Sequence, residues 1–306
     1  MKIAVIGAGA MGSIYGGHLS EHNDVIMVDT SQEVVNQINY RGIVLQEKGE
    51  NHTFRPEAVT SAEGIGPVEL IMLFVKSLYS DNALERNRNL IGPDTYVMTL
   101  QNGSGHEDIL GKFVPEERII IGTTNDNGVL LGPGYIRHSG SGETCFGLSA
   151  GQENPFLLQL KKELDNCGFQ ATVSGDIRQM IWDKLFINVS LSVVTAILQV
   201  DMGYVTENLY AWQMTTALIH EAVTVAHCLG FKADEEPALQ KVWSTSRISP
   251  KGCTSICADL RNGRKTEVET ISGYVVREAR KCGIAVPCHE FVVEIIHAME
   301  DKRSGN

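Results

Sequence analysis

The feature that most constrains this chain is a six-residue run near its start. Gly7-Ala8-Gly9-Ala10-Met11-Gly12 follows directly on the apolar stretch Lys2–Ile6 and opens a helical pattern. A G-x-G-x-x-G run in that setting predicts a strand, a tight turn and a helix whose N-terminus faces the turn. The first glycine permits the turn, the second lets the backbone approach a pyrophosphate, and the third lets helix and strand pack closely. The helix start supplies N–H groups and the positive end of the dipole to an anion. Gly7, Ala8, Gly9, Ala10, Met11 and Gly12 are therefore the expected cofactor cradle, for a dinucleotide.

The pattern repeats. Lys2–Ile6, Val25–Val28, Leu70–Val75, Tyr96–Leu100 and Ile119–Ile121 are continuous apolar runs, as strands covered on both faces should be. Helical segments between them predict βα repeats and a mostly parallel sheet. Gly132-Pro133-Gly134 to Gly147 reads as a meander, and Phe169–Val173 as a further strand. Asn154-Pro155 predicts a capped helix start. From Ile177 on the pattern is helical almost throughout, so a domain boundary is expected near 175, giving domains 1–175 and 176–306.

In open α/β sheets ligands sit beyond the carboxyl ends of the strands. The second strand ends at Asp29, twenty residues after Gly9. An acid there accepts from adenosine ribose hydroxyls and repels a 2′-phosphate. Thr30-Ser31-Gln32 carry no base to hold that phosphate, so NADH is expected over NADPH; the competing reading of Asp29 is a helix cap. The third strand ends at Lys76, which can reach a cofactor ribose or a substrate carboxylate or stand solvated. The fourth ends at Gln101-Asn102-Gly103, where Asn102 either holds the nicotinamide ribose or forms a turn.

In the helical half, Lys184, Asn188 and Ser192 are spaced i, i+4, i+8 on a segment otherwise rich in Trp, Leu, Phe, Ile and Val. Such a helix is expected in a core, and a lysine there needs a partner or a water-lined cleft. Later come Ser255, able to donate to a carboxylate, and Glu267, able to accept from Lys184 or a cofactor hydroxyl. Glu267 also fits a helix-start acid.

Composition closes off other classes. The 306 residues carry a formal charge of -11, which disfavours nucleic acid or an anionic membrane as partner. No apolar run is read as a membrane span, and the first residues reach glycine too soon for a signal peptide. Seven scattered cysteines predict reduced thiols and a cytoplasmic protein. Cys253 and Cys257 form the only close pair, no zinc set is completed, and no metal is expected. His106, on a loop, is expected at the surface.

These elements together resemble the ketopantoate reductases (2-dehydropantoate 2-reductases) over essentially the whole length. The resemblance rests on the glycine run at 7–12, Val75-Lys76, Leu100-Gln101-Asn102-Gly103, Gly132-Pro133-Gly134, Trp182-x-Lys184-Leu185 with Asn188, and Ser255-(x)3-Asp259 leading to Thr266-Glu267. It implies an α/β fold, a Rossmann-type doubly wound parallel sheet followed by an all-helical C-terminal domain, with the active site in the cleft between them. It implies NAD(P)H-dependent reduction of the 2-oxo group of ketopantoate to (R)-pantoate, in pantothenate biosynthesis. Lys184 then matches the general acid and Glu267 the conserved acid of the site. Asn102 and Lys76 match cofactor or substrate contacts, and Asn188, Ser192 and Ser255 substrate-binding positions.

The chain departs from the family where Ser192 and the Lys251–Thr254 run, Gly252 included, replace asparagines, and where Asp29 favours NADH in a family that usually uses NADPH. Two other readings stand beside it: an NAD-dependent D-2-hydroxyacid dehydrogenase of the same superfamily, and a non-catalytic NAD(P)H-binding redox sensor. The partner implied is a small 2-oxo acid, and the protein a monomer or homodimer.

Overall fold

The computed structural model describes residues 1–151 and 154–304; Gly305 and Asn306 of the expected second domain, and residues 152–153, lie outside the described residues. The chain divides into two compact units: residues 1–101 with 106–178, and residues 102–105 with 179–306.

Unit 1 is built on an eight-stranded sheet in the order β12-β11-β8-β7-β6-β1-β2-β5. The strands are β1 (Lys2–Ile6), β2 (Asp24–Val28), β5 (Glu57–Val59), β6 (Leu70–Leu73), β7 (Tyr96–Thr99), β8 (Ile119–Thr124), β11 (Glu143–Leu148) and β12 (Gln170–Val173). All pairs are parallel except β8 with β11. The successive strands β1, β2 and β5 run one way from the centre and β6, β7 and β8 the other, so the order reverses between β1 and β6. That switch point opens a crevice at the strand ends. The helices of this unit are α1 (Ala10–Leu19), α2 (Gln32–Arg41), α3 (Ser80–Arg86), α4 (Glu107–Leu110) and α5 (Pro155–Asn166). Asn154 caps α5 through Leu157 N. His106, just before α4, is 6% exposed rather than at the surface.

This unit also holds a second sheet, β4-β3-β10-β9: β3 (Ile43–Glu47), β4 (Glu50–Phe54), β9 (Asn127–Gly132) and β10 (Tyr135–Gly140); the expected meander is split, with β10 in this sheet and β11 in the larger one. β3 and β4 are joined by Lys48-Gly49, both at positive φ (50° and 90°), a two-residue hairpin turn. β4 is polar and largely exposed, so it carries no apolar run for a sequence reading to find.

Unit 2 is helical: α6 (Ile177–Ile187, in this unit from Gln179), α7 (Val193–Leu198), α8 (Met202–Glu207), α9 (Leu209–Cys228), α10 (Glu235–Ile248), α11 (Ser255–Arg261), α12 (Ser272–Cys282) and α13 (Pro287–Ser304). Its core includes Trp182, Leu185, Val189, Ile219, Val225, Val242, Leu260, Val275 and Ile296. The carboxylate of Glu221 on α9 accepts from the N–H groups of Cys288 and His289 at 3.0 and 3.1 Å and so caps the start of α13. One expectation needs correction. Cys228 and Cys282 are not reduced thiols: a disulfide ties the last residues of α9 and α12 together. The helical run Ile177–Leu198 is, by length and composition, apolar enough to cross a membrane, but 67% of its apolar 18-residue window is buried inside the protein, as a core helix is.

Candidate active site

In unit 1 the glycine turn is built as its sequence demands. Gly7 (φ +100°) donates to Val28 O at 2.8 Å, and a Cβ there would stand 2.7 Å from Val75 N. At Gly12 a Cβ would stand 1.9 Å from Gly7 O, so only hydrogen fits where α1 crosses the turn. Gly9, the N-cap of α1, is different: a Cβ there meets nothing within 4 Å. No side chain caps this helix and its first turn holds no acid. The turn therefore leaves open, at a helix N-terminus, the space an anion fills. These residues fit a dinucleotide.

Asp29 anchors the rim. One carboxylate oxygen accepts from Ala8 N at 2.8 Å and the other from Ser31 N at 2.9 Å. The helix cap is Ser31, which accepts from Val34 N. A cavity of about 300 Å³ runs from Gly7 and Asp29 past Thr30 and Ser61 to Tyr79 and Arg86. Arg86, at the end of α3, reaches this rim from far along the chain, so the residues directly after the second strand give no sign of it. Lys76 is half-buried and heads the short 3₁₀ helix Ser77–Tyr79, its carbonyl accepting from Tyr79 N at 2.8 Å.

In unit 2 two groups of expected residues come together. The first is on the long core helix. Lys184 and Asn188 are both half-buried, one turn apart. The backbone then makes a π turn over Asn188–Ser192. Ser190 donates to Phe186 O at 2.6 Å and Thr195 to Leu191 O at 2.8 Å, the back-bonding by which hydroxyls loosen a helical ladder. At the end of this π turn Ser192 is buried, 4% exposed. Its hydroxyl makes a long 3.5 Å contact to Asn188 Oδ1, and its carbonyl accepts from Thr254 Oγ1 at 3.3 Å. Ser255, next in the chain, is exposed at the start of α11.

The second group forms around Thr270, a residue without a motif of its own in the sequence. Its hydroxyl donates to Asn102 O at 3.0 Å and to Glu267 O at 3.1 Å, and its own carbonyl accepts from Ser104 N at 2.9 Å. Gly103 (φ +94°) allows this approach, since a Cβ there would lie 2.2 Å from Thr270 O. This explains why residues 102–105 group with the helical unit rather than with their sequence neighbours.

Glu267 itself is half-buried. The segment leading to it is held by Glu300, 5% exposed, which accepts from Thr266 N and Oγ1, both at 2.7 Å, and from His297 Nδ1 at 3.2 Å. Burial alone would raise the Glu300 pKa; the bonds from Thr266 and His297 outweigh it and hold the carboxyl below its ordinary value. His297 also donates to Glu269 at 2.8 Å, and despite burial its two carboxylate partners raise its pKa.

The ketopantoate reductase PanE/ApbA model matches residues 3–151, and the ketopantoate reductase PanE/ApbA C-terminal model matches residues 176–300. The chain belongs to the ketopantoate reductase family. As a member it is an NAD(P)-dependent oxidoreductase acting on CH–OH groups. A 2-dehydropantoate 2-reductase of Streptococcus pyogenes serotype M3 is 30% identical over 302 residues, covering 98% of each chain. The ternary structure of D-mandelate dehydrogenase with NADH and anilino(oxo)acetate aligns with a TM-score of 0.94 at 32% identity, covering 100% of both chains. A putative 2-dehydropantoate 2-reductase from Enterococcus faecalis aligns at 0.78 and 28% identity, again over 100% of both.

Proposed function

We propose that this member of the family reduces the 2-oxo group of ketopantoate to (R)-pantoate, the pantothenate-biosynthetic reaction, with NADH as reductant and Lys184 as general acid. The observation that carries the reading is a half-buried amine, Lys184, one turn before Asn188 on a core helix, in a chain whose first unit bears a fitted dinucleotide turn.

Reduced nicotinamide supplies the hydride that reaches C2. As charge grows on the carbonyl oxygen, the Lys184 ammonium donates a hydrogen bond and then its proton, and the amine recovers a proton from water. Glu267 offers a carboxylate to that ammonium or to a cofactor hydroxyl. Asn102 and Lys76 contact cofactor or substrate. Asn188 and Ser255 hold the polar groups of the 2-oxo acid without adding charge, and Ser192, being buried, acts by orienting Asn188. Asp29 accepts from the adenosine ribose and disfavours a 2′-phosphate.

The test is to follow NADH and NADPH oxidation with ketopantoate, phenylglyoxylate and branched 2-oxo acids. The highest kcat/KM is expected with ketopantoate and NADH. A preference of tenfold or more for NADPH removes the role given to Asp29, and points to Arg86 as a phosphate partner. A second reading, an NAD-dependent D-2-hydroxyacid dehydrogenase acting on another 2-oxo acid, is favoured by serine at 192 and by the likeness to the NADH-bound D-mandelate dehydrogenase. It takes over if phenylglyoxylate outperforms ketopantoate. Cofactor binding without turnover on any of them supports a redox sensor.

A further inference from the structure

At the far end of α1 from the glycine turn, three side chains from three elements of unit 1 converge: His18 in the last turn of α1, Glu47 at the end of β3, and His138 on β10. One oxygen of Glu47 lies 3.0 Å from His18 Nε2 and 2.6 Å from His138 Nδ1. One donor atom from each residue lies within 4.8 Å of the others. Around an ion with bonds of ~2.0–2.1 Å, tetrahedral ligands stand about 3.3 Å apart, so a small outward movement of these groups makes room for one.

The surroundings orient the ligands. His138 Nε2 faces Asp126 Oδ1 at 3.3 Å, which leaves Nδ1 aimed at the centre of the group. Asp126 is itself fixed: its side chain is 2% exposed, and it accepts from Tyr15 Oη at 2.9 Å and Gly142 N at 3.1 Å. A carboxylate behind a ligating imidazole is the usual support of a metal-bound histidine. The His18 ring is held between Phe54 and Phe169, with centroids at 4.8 and 5.4 Å. On the open side the group faces a cavity of about 530 Å³, also lined by Glu50, His52 and Cys167.

We propose that His18, Glu47 and His138 form a binding site for one divalent transition-metal ion of the zinc type, with its remaining coordination position open to this cavity. Two imidazoles and one carboxylate are the donor set of three-ligand zinc sites, and nitrogen donors select against calcium and magnesium. The site is separate from the dinucleotide turn, since His18 and Gly9 stand at opposite ends of α1, roughly 13 Å apart at 1.5 Å per residue. No short spacing announces it: Glu47 is 29 positions from His18 and 91 from His138.

The test uses the full chain freed of metal with a chelator. Zn²⁺ is titrated by calorimetry and Co²⁺ by visible absorption, on wild type, Glu47→Gln, His138→Asn and Asp126→Asn. One equivalent is expected to bind with micromolar or tighter affinity, and Co²⁺ to give ligand-field bands without thiolate charge transfer. Loss of a ligand should weaken binding by at least ~10²-fold, and Asp126→Asn by ~10–100-fold. Far-UV dichroism of the metal-free variants checks their folding, and His18→Gln replaces any variant that fails to fold. Binding no tighter than millimolar, binding undiminished in the ligand variants, or thiolate bands assigning the ion to Cys253 and Cys257 would each overturn the proposal.

Discussion

Gly9 and Gly12 sit three residues apart in one turn, yet the structure predicts opposite consequences for the same added methyl. At Gly12 the Cβ falls 1.9 Å from Gly7 O, about 1.5 Å short of ordinary contact at 3.4 Å, and 3.3 Å from Phe74 Cβ. Backbone must move, so Gly12→Ala should cost about 3 kcal/mol or more, lowering the melting temperature of unit 1 by about 6–12 °C. At Gly9 the Cβ meets open space, and φ −71°, ψ −165° suits alanine. Loss of a glycine N-cap costs under ~1 kcal/mol, or about 2–4 °C. The methyl there stands between an incoming pyrophosphate and the amides at the start of α1. Weakening two charge-assisted hydrogen bonds by ~1.5 kcal/mol each raises the Kd for NADH by about 10²-fold. Thermal melts and NADH fluorescence titrations on both variants separate the effects. If Gly9→Ala binds NADH within twofold of wild type, the turn is not the cofactor cradle and the assignment of unit 1 fails.

Three other outcomes follow from the same geometry. Lys184→Ala should lower kcat by at least ~10² while leaving NADH affinity nearly unchanged; steady-state kinetics with an unaltered kcat would remove it from the mechanism. Reducing Cys228–Cys282, which closes a separation of 54 residues, should destabilise unit 2 by about 4 kcal/mol, read as a lower melting temperature in reductant and in Cys228→Ser; no change would mean that the bridge adds nothing. The Glu300–His297 pair should make stability depend on pH from both sides. The lowered Glu300 pKa gives stability present above about 4.5 and lost as pH falls through the folded value. The raised His297 pKa gives stability present below about 6.5 and lost as pH rises through its folded value. Urea unfolding of wild type and Glu300→Gln should therefore differ most between those pH values, and a difference independent of pH would contradict this.

The glycine turn, the strand–helix alternation and the apolar helix bearing Lys184 were legible in the sequence because each is local. A turn needs its glycines at fixed offsets, a doubly covered strand is continuously apolar, and a core helix repeats every 3.6 residues. The hairpin β3–β4 was not legible, because a solvated strand such as Glu50–Phe54 carries no hydrophobic period. Ser192 shows the limit of periodicity: the i, i+8 spacing from Lys184 assumed an unbroken α-helix, whereas the backbone makes a π turn over Asn188–Ser192 and Ser192 is buried.

The chain by itself determined which residue types exist to hold an anion, deliver a proton and fill two cores, since those are properties of side chains and near-neighbour spacing. Tertiary structure alone decided which distant groups meet: Thr270 with Asn102 and Glu267, Glu300 with Thr266, Cys228 with Cys282, and His18 and His138 on one oxygen of Glu47. The reason is physical. Apart from the local Thr270–Glu267 bond, such contacts join positions tens to more than a hundred residues apart, and only the packing of helices and sheets brings them within bonding distance.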